Sequence, residues 1–333
     1  MKDMTETKDS HLETLQYVAD KFGLGQVGSN VSNGRGFVNK TYEVETERGK
    51  FIFQKLAPIF NERITVDGLF LYGWLSARGF LTPRPLIAPG GALSVKYGHF
   101  PWRVSEYIEN DPPAEKSYQA LQSCALMLGK FHDMMSDCRY EPCFSIQGFH
   151  DTAQIVGLMM LLVREKKITG ELAEIAKGIF RAVEENRLPA EAETQLIHGD
   201  PKFDNFLFVG KRAVALVDFD TLMRGSVLLD LGDAMRSWCR RDGYVFDHNL
   251  FAELVEAYRV EYRPPFTRNQ IRSAVALITL ELAARYVTDA YHQHYFNWDE
   301  TKYASSAEHN TVRAKAYWEY YQSIVGWDTS RQG

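Results

Sequence analysis

The chain holds 333 residues, with 38 Lys and Arg against 43 Asp and Glu, for a formal net charge of -5. Apolar residues make up 45 % and charged residues 24 %, the usage of a folded globular protein, which excludes a disordered or fibrous chain. The acidic balance offers no footprint for a nucleic-acid backbone, and the longest apolar run, nine residues over 155–163, falls well short of the ~20 that a membrane helix needs. No nucleic-acid or membrane partner is therefore expected, and the length predicts two lobes rather than one core. The four cysteines, Cys124, Cys138, Cys143 and Cys239, form no C-x-x-C pair, and residues 1–10 lack an apolar signal core. A cytoplasmic chain with reduced thiols is the expectation.

In chain order, Leu12, Leu15, Val18, Ala19 and Phe22 make one helical stripe that Gly23 and Gly25 end. Residues 38–46 and 50–56 are rich in β-branched and aromatic side chains on either side of Glu47-Arg48-Gly49, which predicts a hairpin. A helix is predicted over 63–78, and then Pro83, Pro85, Pro89-Gly90-Gly91 and Gly98 punctuate short strands ending at 102–108. After Asp111-Pro112-Pro113 the pattern turns helical. Prolines suit the first turn of a helix, and Leu121, Cys124, Ala125, Leu128, Phe131 and His132 recur at helical spacing. Further helices are predicted over 151–164, 171–186, 230–239, 247–260, 268–295 and 308–325, with one island of strand at 195–220. The expected fold is α+β: a β-rich N-lobe over 1–108 and a larger helical C-lobe over 109–333 with an embedded hairpin.

The informative stretch runs from Gln195 to Asp220. Phe206 to Val209 and Ala213 to Val217 read as strands joined by Gly210-Lys211-Arg212. A short loop of that kind sets Asn205 opposite one of residues 216–218, so Asp218 lies opposite it or within two positions. Asp200 precedes the first strand. A hard cation such as Mg²⁺ takes carboxylate and amide oxygens and completes its shell with substrate phosphates, which suits Asn205 and Asp218 as ligands and leaves Asp200 as a base. Asp200, Asp204 and Asp220 also read, each alone, as ordinary turn formers. Asp200, Asn205 and Asp218 together, around apolar strands, point to phosphoryl transfer.

His198-Gly199-Asp200-x4-Asn205 followed by Val217-Asp218-Phe219-Asp220 resembles the catalytic loop and metal-binding strand of the aminoglycoside phosphotransferase and choline kinase-like family. Gly36-Phe-Val-Asn39-Lys-Thr-Tyr42, Phe51-Ile-Phe-Gln54-Lys-Leu56, Thr221 to Arg236 and His309-Asn310-x2-Arg313-Ala314 look most like its N-acetylhexosamine 1-kinase branch. The resemblance implies a protein-kinase-like two-lobe fold, ATP and Mg²⁺ as cofactors, and a small-molecule substrate. That substrate would be an N-acetylhexosamine phosphorylated on its anomeric hydroxyl, with the enzyme a monomer or a homodimer. The alternatives are an aminoglycoside, choline or homoserine acceptor on the same scaffold, or a catalytically dead nucleotide-binding module.

By the same resemblance Asp200 is the catalytic base, Asn205 and Asp218 the metal ligands, Asp230 a brace for the catalytic loop, and His198 an orienting residue. Gly34, Gly36 and Val38 correspond to the phosphate-covering loop. Gln54 stands where kinases place a phosphate-gripping Lys, with Lys55 on the other face of the strand as its rival. Glu106 and Ile108 correspond to the adenine-binding hinge. Lys202, Arg285 and Tyr295 are the substrate candidates, although Glu281 and Arg285 also have the spacing of a surface ion pair on a helix.

Overall fold

The computed structural model describes residues 8–33, 39–113, 115–189 and 194–326. The N-terminal part comprises α1 (Lys8–Phe22), β1 (Val27–Asn33), β2 (Lys40–Thr46), β3 (Gly49–Lys55), α2 (Ile64–Ser76), β4 (Val95–Tyr97) and β5 (Phe100–Glu106). Its five strands form one antiparallel sheet in the order β1-β2-β3-β5-β4. Strand alternation puts Tyr42, Val44, Phe53, Trp102 and Val104 on one face, where they bury with Leu15, Val18, Ala19 and Phe22 of α1. Each large side chain buried there contributes about 1.5–3 kcal/mol. The pairing leaves Thr41, Gln54 and Arg103 as a row across the other face.

Next come α3 (Tyr118–Met135), α4 (Thr152–Arg164), α5 (Gly170–Glu185), β6 (Gln195–Ile197), β7 (Phe206–Val209), β8 (Arg212–Leu216) and β9 (Met223–Gly225). The chain ends with α6 (Val227–Trp238), β10 (Arg240–Arg241), β11 (Val245–Phe246), α7 (His248–Glu261), α8 (Arg268–His292) and α9 (Ser306–Val325). The expected α+β order is present, and the helices lie close to their predicted ranges. One expectation fails: the helix after Pro112-Pro113 begins only at Tyr118. The hydroxyl of Ser117 accepts a hydrogen bond from Ala120 N and caps it, so both prolines stand ahead of the helix rather than in its first turn.

Two compact units result. The first takes the described residues of Met1–Ala114, Tyr140–Ile146 and Asp204–Met223; the second takes those of Glu115–Arg139, Gln147–Phe203 and Arg224–Gly333. The short segment 140–146 belongs to the first unit because Asp67 on α2 gathers it. That buried carboxylate accepts from Tyr140 Oη and Cys143 N, both at 2.7 Å, and from Phe144 N at 3.2 Å. The β7–β8 hairpin joins the same unit through Asp111, whose N–H donates to Phe208 O at 2.6 Å.

In the second unit helices approach closely at glycines. A Cβ at Gly232 of α6 would stand 2.7 Å from Ala274 O of α8, and one at Gly129 of α3 would stand 2.6 Å from Tyr258 O of α7. Among the described residues no disulfide joins the four cysteines. Among the described residues, no helix is long and apolar enough to cross a membrane.

Candidate active site

In the second unit, β6 ends at Ile197 and the chain turns through His198-Gly199-Asp200. Gly199 has φ of 85°, a left-handed conformation that favours glycine. Asp230, in the first turn of α6, holds this turn. Its Oδ2 accepts from His198 N and its Oδ1 from Gly199 N, both at 2.7 Å, and His132 Nε2 donates to Oδ2 at 2.9 Å. Burial alone would raise the Asp230 carboxyl pKa, but the hydrogen bond from His132, that group's charge and the Gly199 N–H hold it below the ordinary value. The cap of α6 is the Ser226 hydroxyl, which accepts from Leu228 N, so Asp230 is not the N-cap.

His198 is fully buried, and its Nδ1 accepts from Asp200 N at 3.3 Å. The Asp200 side chain remains 29 % exposed, and its Oδ2 meets Lys202 Nζ at 2.5 Å. Burial, and then the charge of Asp233, push the Asp200 carboxyl above its ordinary value, while Lys202 pulls the other way. Asp233 bonds Arg236 Nη2 at 2.5 Å through Oδ1, whereas its buried Oδ2 has no hydrogen-bond partner among the described residues.

From the opposite side, His150 Nε2 lies 3.0 Å from the Gly199 carbonyl oxygen, and its Nδ1 lies 3.0 Å from Glu281 Oε2. Glu281 also accepts from the Thr152 hydroxyl. This corrects one expectation. Glu281 is 2 % exposed and tied to His150 and Thr152, so it is no surface partner of Arg285. The Arg285 guanidinium stands 5.7 Å from the centre of the Phe149 ring. Tyr295 is 54 % exposed and packs edge-on to Phe296, with its N–H donating to Asp289 Oδ1.

In the first unit, Phe206 pairs with Leu216 and Val209 with Arg212, and Val217 N donates to Asn205 O at 2.9 Å. Asn205 and Asp218 therefore share one end of the hairpin, as the loop length predicts. Asp218 adopts φ 65° and ψ 56°, a conformation that costs a non-glycine residue free energy and that Asn and Asp tolerate best.

Two residues on is Asp220, buried at the centre of a polar network. Arg103 on β5 grips it twice, Nη1 to Oδ1 at 2.7 Å and Nη2 to Oδ2 at 2.8 Å, and Asn39 Nδ2 donates to Oδ2 at 2.5 Å. Gln54 joins through its Oε1, which accepts from Arg103 Nε at 2.9 Å, while its Nε2 donates to Thr41 Oγ1 at 3.2 Å. Lys55 faces away, with its Nζ 3.9 Å from the centre of the Phe100 ring. The cation beside Gln54 is thus Arg103. The sequence reading missed it, because only the β3–β5 pairing sets Arg103 against Gln54.

Glu106 meets Arg84 at 3.5 Å, and Ile108 O accepts from Asn110 Nδ2 at 3.0 Å. Gly34, Gly36 and Val38 lie outside the described residues. The oxygen-only donor set of Asn205 and Asp218, brought to one hairpin end, fits a hard divalent cation. Among the described residues no group of three His, Cys, Asp or Glu gathers for a metal, so phosphate oxygens and water would complete its shell.

Comparison with known proteins bears on this arrangement. The homoserine kinase of Bartonella henselae is 24 % identical over 95 % of this chain and 94 % of its own length. Among solved structures, the amicoumacin kinase hAmiN in complex with AMP-PNP, Ca²⁺ and Ami superposes with a TM-score of 0.65 at 14 % identity, covering 98 % of each chain. The microcompartment-associated aminopropanol kinase gives 0.63 at 18 % identity, covering 94 % of this chain and 98 % of its own. At such identities these likenesses speak to the fold, an antiparallel N-terminal sheet followed by a largely helical part, which is the protein-kinase-like fold. The sequence profile that matches residues 31–271 spans the sheet, the His198–Asp200 turn, the hairpin and α6, and by that match the chain belongs to the phosphotransferase enzyme family.

Proposed function

We propose that this protein is an ATP-dependent kinase that phosphorylates the hydroxyl of a small amino-acid alcohol of the homoserine type. The observation that carries the reading is the end-to-end similarity to a homoserine kinase, with Asp200, Asn205 and Asp218 all present in order. The comparisons favour this acceptor over the N-acetylhexosamine suggested by motif resemblance. The charges near the catalytic loop support it too. Homoserine is a zwitterion: its ammonium suits the unpartnered Oδ2 of Asp233, and its carboxylate suits the planar donor fork of Arg285. A neutral sugar gives Asp233 no cation, and choline gives Arg285 no anion.

In this reading Asp200 accepts the proton of the attacking hydroxyl as its oxygen bonds to the γ-phosphorus and ADP departs. Lys202 keeps the carboxylate ionised and oriented. A magnesium ion, when bound, neutralises charge on the transferring phosphate, and Asn205 and Asp218 are the residues that would hold it. Arg103 and Asn39 hold Asp220, and through it the strained turn that carries Asp218.

The experiment is a coupled ADP-release screen over homoserine, aminopropanol, choline, an aminoglycoside and N-acetylglucosamine. Homoserine is expected to give the highest kcat/KM. A second reading, the sugar 1-kinase, rests on the run from Thr221 to Arg236, and turnover of N-acetylglucosamine alone would establish it instead. Absence of ADP release with every acceptor would leave a nucleotide-binding module.

A further inference from the structure

We infer that His150 is a positioning residue for Asp200, held as an imidazolium between Glu281 and the carbonyl of Gly199. The inference rests on the kinase reading only in treating Asp200 as the base.

The argument begins with the two partners. A backbone carbonyl can only accept a hydrogen bond, and so can an ionised carboxylate. His150 presents one ring nitrogen to each, at 3.0 Å in both cases. A neutral imidazole has a single N–H, so it would turn a lone pair toward one of these oxygens. With its side chain 8 % exposed, little water is available to substitute. The competing arrangement, a neutral Glu281 donating to Nδ1, puts the proton on the weaker base, since a free carboxylate titrates near ~4.3 and a free imidazole near ~6.5.

The charges around the ring agree. Glu281 faces it from α8 and Asp233 acts on it from α6. Arg285 lies one turn beyond Glu281 on α8, against the ring of Phe149. Burial would lower the His150 pKa, but the hydrogen bond and charge of Glu281, the Gly199 carbonyl and Asp233 raise it above the ordinary imidazole value. The backbone at His150 is left-handed, with φ of 57°, a conformation that persists in a bulky residue only where the surroundings impose it.

The consequence falls on the two peptide groups that flank the Gly199 Cα. Gly199 N–H is fixed by Asp230 and Gly199 C=O by His150, and that carbonyl is bonded directly to the nitrogen of Asp200. The imidazolium therefore sets the direction in which Asp200 leaves the loop. Deprotonation removes one of the two donors and releases either the carbonyl or Glu281. The brace is present below the raised pKa and is lost as pH rises through it.

The test uses the full chain. Imidazole nitrogen NMR, with His150 assigned by comparison with His150→Gln, should show both ring nitrogens protonated at neutral pH. The Asp200 amide should titrate with His150 in the wild type and not in the variant. His150→Gln, which cannot donate in both directions, should lower kcat about tenfold with the KM for ATP unchanged, and should abolish the alkaline fall of kcat. Glu281→Gln should move that fall to lower pH. A singly protonated His150 at neutral pH overturns the inference, as does an alkaline limb that persists in His150→Gln or an Asp200 amide that ignores the titration. Both NMR readings are independent of phosphate transfer. Failure of the kinase reading would instead show as no ADP release with any acceptor, with those NMR results intact.

Discussion

Arg103 and Asp220 form a two-point ion pair across the first unit, joining the sheet to the turn that follows Asp218. Both side chains are largely buried, 13 % and 6 % exposed, so removing one partner leaves the other charge poorly solvated. Arg103→Gln is expected to cost about 3 kcal/mol in urea unfolding and to weaken Mg-ATP binding. Arg103→Lys keeps the charge but not the fork, and should recover only part of the loss. An unfolding midpoint unchanged in both variants would show that the pair contributes nothing.

The pH dependence of kcat on the acid side should report Asp200. The base must be ionised, and its pKa is raised, so kcat should fall at a higher pH than an ordinary Asp at about 3.9 would give. Lys202→Met removes the nearest cation and should push that limb higher still. A limb that moves down or stays put contradicts the pairing seen at 2.5 Å.

The same raised pKa makes a stability statement. The folded chain binds the Asp200 proton more tightly than the unfolded chain does. Stability is therefore lost as pH rises from the unfolded pKa to the folded one, and at neutral pH the ionised carboxylate is a net cost. Asp200→Asn is expected to keep or raise the Tm while cutting kcat by at least about a hundredfold. A clear drop in Tm would mean that the carboxylate holds the loop together rather than serving the reaction.

Asp230 should behave in the opposite way. Its pKa is lowered and three donors converge on it, so its contribution is present above the unfolded carboxyl pKa and lost as pH falls through the folded one. Asp230→Ala should cost about 3–5 kcal/mol near neutral pH, measured by denaturant unfolding, because two backbone N–H groups and His132 lose their acceptor. A loss below about 1 kcal/mol would place the loop's support elsewhere.

Much of this was legible in the sequence because it is local. The hairpin register follows from a short loop, which by itself brings Asn205 and Asp218 to one end. The α8 boundaries follow from the sequence to within three residues, and the structure adds the Thr267–Gln270 capping box at its start. What the sequence hid depends on residues far apart in the chain. Arg103 meets Asp220 across 117 positions and His150 meets Glu281 across 131, and no periodicity announces either pair. Glu281 and Arg285 illustrate the error this causes. Helical spacing suggests that they bond each other, but burial gives Glu281 to His150 and Thr152.

The most direct measurement is Mg²⁺-dependent ADP release by the purified chain with homoserine as acceptor, run beside Asp200→Asn and Arg285→Ala. The account predicts turnover in the wild type and near-loss of kcat in Asp200→Asn. In Arg285→Ala it predicts a KM for homoserine raised about ten- to a hundredfold, with the KM for ATP unchanged. Phosphorylation of N-acetylglucosamine with none of homoserine, or an Asp200→Asn enzyme with near-normal kcat, would contradict it.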